Sequence, residues 1–347
     1  LIRPAVDGLR YAAPTILNPS WCTLSLLFTD WNRVGNGDLR VSNDRQYYHS
    51  GEEQLWHISP GDPPRQYSRE EGWERLQIWG MGIASHDLNG DGYPEIFLTS
   101  MGDNKLQTLD IRARADEAHP VYRNISLASG VTAQRPYAGG DVLPSTAWHA
   151  EFGDVNNDGF ADLFIAKGNV DAMVEAAARD PNNLLIGRPD GTFEEKGLEA
   201  GVGSFARARG AALADFNLDG MLDLIVVNRR ENIGLWRNTG RAGKPQGNWI
   251  ALWLEQPSAN RWAVGSWLEI GVGDRILHRE ITIGGGHAGG KLGWLHFGLG
   301  DQEGASFRVQ WPNGETGPWV DIAANSFALI ARGEPEARIW SSDRARP

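Results

Sequence analysis

One loop, written three times in full and once in worn form, restricts this chain to a repeat fold. "DLNGDGYPEIFL" begins at Asp87, "DVNNDGFADLFI" at Asp154 and "DFNLDGMLDLIV" at Asp215. The worn copy, "DWNRVGNGDLRV", begins at Asp30. The starts lie 57, 67 and 61 residues apart, and self-similarity at a nearly fixed period is the mark of a repeat architecture.

The loop has a definite chemistry. Calcium is a hard cation that takes about six to eight oxygens at ~2.3–2.6 Å. A short loop wraps it if positions 1, 3 and 5 point inward, glycine at position 6 allows the sharp turn, a carbonyl at 7 contributes, and a carboxylate at 9 closes the shell. Asp87, Asn89, Asp91, the Tyr93 carbonyl and Glu95 satisfy that plan. So do Asp154, Asn156, Asp158, the Phe160 carbonyl and Asp162, and Asp215, Asn217, Asp219, the Met221 carbonyl and Asp223. Three calcium ions are expected. The worn copy offers Asp30, Asn32, the Asn36 carbonyl and Asp38, with Val34 where the position-5 carboxylate belongs, so only a weak site is expected there. An EF-hand needs a bidentate Glu at position 12 and flanking helices; position 12 after Asp87 is Leu98, inside a strand-like run. A metal-free Asx/Gly turn is the plainer reading of one loop alone.

The flanks repeat too. Small and apolar residues precede each loop (MGIASHD, WHAEFGD, RGAALAD), and short strand-like runs follow near Gln54, Asn104, Asn182 and Asn232. Each unit reads as several short strands joined by Gly/Asp turns. One helical turn or two is expected in the insert "NVDAMVEAAARD" at 169–180, which begins with an Asn cap. Four-stranded units of roughly 40–60 residues read as propeller blades. The D-x-N-x-D-G-x-x-D loops with these flanks resemble FG-GAP/VCBS repeats, the calcium-loop blades of integrin α-type β-propellers. The resemblance covers residues 20–240 and implies an all-β propeller over 1–244. Four units are visible where integrin-type propellers have seven. That leaves loop-less blades, a C-terminal domain that helps to close the ring, or a shortened propeller.

From Asn248 onward the loops stop, and the alternation of apolar and polar residues in "NWIALWLEQPSANRWAVGSWLEIGVGDRILHREI" predicts strands. Three blocks are similar to the ASPIC/UnbV domain of cartilage acidic protein-like chains: Ser258, Asn260, Arg261, Ala263 and Gly265; His296 to Gly300; and Val309, Trp311, Pro312 and Gly314. A smaller β domain is therefore expected over 245–333, with a tail at 334–347. The stretch "GGGHAGGKLG" at 284–293 departs from the family, so no binding role is carried over to it.

Composition bounds the function. A net charge of −11 argues against a nucleic-acid surface. The three full loops hold nine carboxylates, so three calcium ions would offset six of those charges. Cys22 is the single cysteine, which rules out an intrachain disulfide and suits a periplasm where calcium does the stapling. It reads as a core residue in "WCTLSLLF". Beginning at Leu, the chain reads as processed or trimmed, and no apolar run approaches the length of a membrane span.

Catalytic motifs fail. "GGHAGGKL" at 285–292 approximates a phosphate loop, but Leu292 stands where Ser or Thr must bind Mg²⁺. G-x-S-x-G and H-E-x-x-H are absent, the paired carboxylates that would suit a glycosidase are used by the loops, and His86, His149 and His296 read as packed or edge residues. The "NIS" triplet at Asn124 is a glycosylation sequon. Fifteen tryptophans is a high count; blade cores account for most. The reading is a periplasmic or secreted, calcium-stabilised scaffold or accessory subunit that docks on other proteins in a larger, membrane-associated assembly. Trp236, Arg229 and Arg230 are candidate contacts, against the plainer reading of a core tryptophan and a solvated edge. A carbohydrate-binding lectin is the alternative, and a hydrolase or lyase the third.

Overall fold

The computed structural model describes residues 13–44, 51–110, 119–132, 145–170, 180–241, 243 and 245–341. All regular structure is β except one four-residue helix, α1 (Ser126–Ser129), among those residues. Most of the helical insert expected at 169–180 lies outside the described residues.

Four antiparallel meanders follow one another. The first is β1 (Cys22–Thr29), β2 (Asp38–Asp44), β3 (Gln54–His57) and β4 (Arg65–Gln66). The second is β5 (Gly80–His86), β6 (Glu95–Ser100), β7 (Lys105–Leu109) and β8 (Tyr122–Asn124). The third is β9 (Ala147–Gly153), β10 (Asp162–Lys167), β11 (Asn183–Gly187) and β12 (Phe193–Glu195). The fourth has three strands: β13 (Ala208–Ala214), β14 (Asp223–Asn228) and β15 (Gly234–Trp236). Each repeated loop is the turn between the first and second strands of its sheet, so position 9 (Asp38, Glu95, Asp162, Asp223) is also the first residue of the second strand.

Packing explains the sequence patterns. Every residue of β6 and β10 is buried, as befits inner strands covered on both faces. The first strands carry the sheet-to-sheet contacts in order: β1 and β2 on β5, β5 and β6 on β9, β9 and β10 on β13. None of the seven tryptophans of the repeat region is fully exposed; Trp31, Trp56, Trp73 and Trp148 are buried, and Trp236 packs on the third and fourth sheets. Cys22 corrects the expectation of a core thiol. It is exposed, because β1 alternates and turns Ser25, Leu27 and Thr29 inward while Cys22, Leu26 and Phe28 face out.

The C-terminal strands form two four-stranded sheets. β16 (Asn248–Glu255) lies between β19 (Leu295–Gly300) and, in parallel, β22 (Ser326–Ala331), with β23 (Arg338–Trp340) at the edge. β17 (Trp267–Val272) lies between β18 (Arg275–Glu280) and β20 (Gly304–Gln310), with β21 (Val320–Ala323) beyond. One apolar cluster holds residues of both sheets, including Leu252, Phe297, Ile270 and Phe307, so the two stack face to face. β23 falls within the stretch read as a tail and adds a strand to its sheet. The C-terminal blocks are architectural: Asn260 ties its own turn through Val264 N–H and C=O, and Val309 and Trp311 fill the core. Among the described residues no helix is long and apolar enough to cross a membrane.

Candidate metal centres

The repeated loops share one internal geometry. The first aspartate of each full loop folds back over its own turn. Asp87 accepts from Gly90 N–H and Gly92 N–H at 2.9 Å. Asp154 accepts from Asp158 at 3.1 Å and Gly159 at 2.7 Å; Asp215 accepts from Asp219 at 3.0 Å and Gly220 at 2.8 Å. Glycine at position 6 is required: Gly92, Gly159 and Gly220 have φ of 88°, 84° and 84°. The position-5 carboxylates Asp91, Asp158 and Asp219 each accept the N–H of residue 7, Tyr93, Phe160 and Met221 in turn. The position-9 acids anchor the far side. Glu95 accepts from Leu88 N–H, Asp162 from Val155 and Gly187 N–H, and Asp223 from Phe216 and Asn238 N–H.

Burial raises several acids of the full loops. Burial, reinforced by Asp158, pushes the Asp154 carboxyl up to about 7. Burial and the charge on Asp154 raise Asp162 well above its ordinary value. Glu95 is pushed up to about 7 by burial, with Asp87 and Asp91 adding to the rise, and burial raises Asp215. These are oxygen-only donor sets, buried at Asp87, Glu95, Asp154, Asp162 and Asp223 and open to solvent at Asn89 and Asn217, whose negative charges press on one another. In donor chemistry they fit a hard divalent cation. Among the described residues no group of three or more His, Cys, Asp or Glu side chains converges on one point. The acids are turned onto the loops' own N–H groups, and Asn89, Asn156, Asn217 and the carbonyls make up the remaining oxygens.

The worn loop is built differently. Asp38 accepts from Trp31 Nε1 at 2.8 Å, Tyr67 Oη at 2.8 Å and Ile58 N–H at 3.0 Å, with His57 Nδ1 at 3.1 Å. Its carboxylate is saturated inside its own sheet. Asp30 accepts from Gly35 N–H and from Trp267 Nε1 at 3.2 Å. Val34 is exposed, and Asn32 Oδ1 is buried without a partner. Two indole N–H groups stand against the acids of this loop.

All four loops lie against the C-terminal sheets, a junction that sequence reasoning missed. Glu280 of β18 accepts from Asp30 N–H and Thr29 Oγ1, both at 2.6 Å. His278 Nδ1 lies 2.9 Å from Asp87 Oδ2. Arg275 sits 4.2 Å over the Phe160 ring, and Arg33 lies 4.7 Å over Trp267. His296 Nε2 contacts Asn157 Oδ1 at 2.7 Å. A Cβ at Gly298 would meet Asp154 Oδ2 at 1.9 Å, and one at Gly220 would meet Trp249 Nε1 at 1.9 Å. The glycine in "HFGLG" and the charged residues of "RILHRE" are the signals that could have marked this face.

The glycine-rich stretch 284–293 runs from the C-terminal sheets onto the first strands of the meanders. Gly284 bridges to Leu27 and Gly286 to Ile83; His287 N–H donates to His149 Nδ1, and Lys291 Nζ lies 2.6 Å from Glu151 Oε1 and also donates to Leu213 C=O. It is a structural strap, in keeping with the failed phosphate-loop motif. Two clefts flank the junction: one of ≈ 540 Å³ between the Asp87 and Asp154 loops and β18, and one of ≈ 380 Å³ along the first strands beneath the strap. His86, His149 and His296 lie at the junction among packed side chains.

Repeated loops on meander sheets, followed by a second β domain, are similar to two known families. Residues 87–165 match the family model described as FG-GAP-like repeat, and residues 256–337 the model described as ASPIC and UnbV. The relatives are cartilage acidic proteins. The chain is 29% identical over 160 residues to Cartilage acidic protein 1 of Homo sapiens and 26% identical over 153 residues to that of Xenopus tropicalis. Each match covers 43% of this chain and 21% of the relative, so the matched part spans about a fifth of the length of these curated relatives. The resemblance drawn from the loops and the C-terminal blocks is thereby borne out.

Proposed function

We propose that this chain is an extracytoplasmic binding scaffold of propeller type in which calcium at the Asp87, Asp154 and Asp215 loops stiffens the sheets and their junction with the C-terminal domain. One observation carries the reading: the acidic loops face into a domain junction and touch β18, β19 and β16, so a cation there serves the architecture. When bound, calcium supplies a point of positive charge that ties carboxylates, amides and carbonyls of one loop together. This chain's residues do the rest. Asp154 and Asp162 clamp the turn, and Gly298 lets β19 approach it.

The scaffold's task is to hold other proteins at fixed geometry. Rigid loops lower the ordering cost of association, and Trp262 and Trp319, each 42% exposed, are aromatic side chains of the kind that dominate interfaces. Arg229 and Trp236 are engaged within the chain, through Val170 C=O and Gly201 C=O, which favours the plainer reading of both. The enzyme reading receives no support from the acids, since they belong to the loops and their N–H partners. A lectin would use the ≈ 380 Å³ cleft, whose tryptophan, Trp294, also packs against Phe327 and Trp340. Native mass spectrometry of the protein released from its source without affinity purification tests the proposal. A defined complex with other polypeptides is expected; a monomer that retains a glycan would contradict it.

A further inference from the structure

β18 carries an arginine that nothing in the described structure answers. Arg279 lies between the two clefts and lines both. Its Nε is buried without a hydrogen-bond partner. No carboxylate forms an ion pair with it among the described residues; Glu151 and Asp154 act on it only through space. Its one close ring is Phe297, 5.3 Å from the guanidinium carbon. Burial draws it down to about 10, so it stays charged at neutral pH. The residue as a whole is only part-buried, but its shielded Nε has no partner, and such a group calls for an explanation.

The other charges of the ≈ 380 Å³ cleft are matched. Glu151 accepts from Lys291 Nζ and, at 3.0 Å, from Leu213 N–H. Glu280 accepts from Thr29 Oγ1 and Asp30 N–H. His287 Nδ1 meets Met81 C=O at 3.1 Å. His149 Nε2 is a second donor, held only loosely by Glu151. Its Nδ1 accepts from His287 N–H, which places the proton on Nε2, and Nε2 is buried, 3.8 Å from Glu151 and without a hydrogen bond. Leu27, Val227, Leu292 and Trp294 supply apolar wall. A cleft with apolar walls and a few unanswered donors is the usual form of a small-molecule site.

We propose that this cleft binds a small organic carboxylate, with its acid group on Arg279 and His149 Nε2 and its apolar body against Leu27 and Trp294. A guanidinium presents parallel N–H donors that match a carboxylate, and a cation is disfavoured beside Arg279. A bare inorganic oxyanion would leave the apolar wall uncovered. The proposal does not rest on calcium at the loops.

Isothermal titration and thermal melting of the whole chain, in calcium-containing buffer, test it with three probes: benzoate, its neutral counterpart benzamide, and inorganic phosphate. Benzoate is expected to bind saturably at millimolar concentration and to raise the melting temperature. Benzamide and phosphate are expected to bind at least tenfold more weakly. Arg279→Gln should lose at least tenfold in benzoate affinity. Arg279→Met, which keeps the stem over Phe297 and removes the unpaired charge, should melt higher than the parent without ligand. No saturable benzoate response, equal response to benzamide, tighter binding of phosphate, unchanged affinity in Arg279→Gln, or a lower melting temperature in Arg279→Met would each overturn the proposal.

Discussion

The Asp154 loop and the Asp30 loop occupy the same place in their sheets and meet the same C-terminal domain, yet they solve the charge problem in opposite ways. At Asp154 burial, reinforced by the charge of Asp158, pushes the carboxyl up to about 7. At Asp30 the position-5 carboxylate is Val34, and indole N–H groups of Trp31 and Trp267 stand against Asp38 and Asp30. Burial raises Asp30 only to about 6, with Trp267 and Arg33 pulling the other way. On the proposed calcium reading, a repeat can keep its turn without the metal where protein donors stand in for the cation. Backbone hydrogen bonds to position 1 maintain the turn in both loops, and the charge balance is what the proposed ion would answer.

Substitutions can break this comparison. The largest effect is expected for Asp162→Ala. Its carboxylate is fully buried and accepts from Val155 and Gly187 N–H. Leaving two buried donors unanswered costs about 1–3 kcal/mol each, so a loss of ~3–5 kcal/mol in urea unfolding is expected in calcium, with one fewer ion bound. Next is Gly298→Ala. Its Cβ would meet Asp154 Oδ2 at 1.9 Å and the Asn157 backbone at 2.6 Å, and overpacking of this kind costs about 1–3 kcal/mol. Limited proteolysis should then cut between the repeat region and the C-terminal domain more readily than in the parent.

Smaller effects sharpen the contrast. Asp30→Asn keeps an acceptor for Gly35 N–H and Trp267 Nε1, so it should cost about 1 kcal/mol and leave the calcium count unchanged. Val34→Asp restores the full sequence motif at an exposed position. Its stability change should stay within about 0.5 kcal/mol, and it should add no calcium site, because Asp38 is already held by Trp31, Tyr67 and Ile58. Calcium titration of that variant checks it; a fourth ion would show that the motif alone suffices.

Much of the repeat region was legible because the loop carries its own chemistry. Asp, Asn, Asp and Gly at fixed spacing specify a turn, and the strand begins where position 9 falls. The period also placed the four sheets. The junction was not legible, since it depends on distant residues: Glu280 meets Asp30 and His278 meets Asp87, and no local pattern announces pairs some 200 residues apart. Cys22 misled because an apolar run was taken for a core strand, whereas β1 alternates and exposes Cys22 beside Leu26 and Phe28. Among the described residues the last meander has three strands, and no local pattern in the sequence set it apart from the others.

The most direct test is the calcium stoichiometry of the intact chain, measured by elemental analysis after desalting and paired with melting curves before and after EGTA. A ligand that binds only the folded state stabilises it by roughly 2.7 kcal/mol per site at a hundred times its Kd. Three calcium ions per chain are predicted, with a clear fall in melting temperature on chelation. A chain that retains no calcium, or a melting curve that EGTA leaves unchanged, would show that the loops are turns closed by their own N–H groups and would contradict the account.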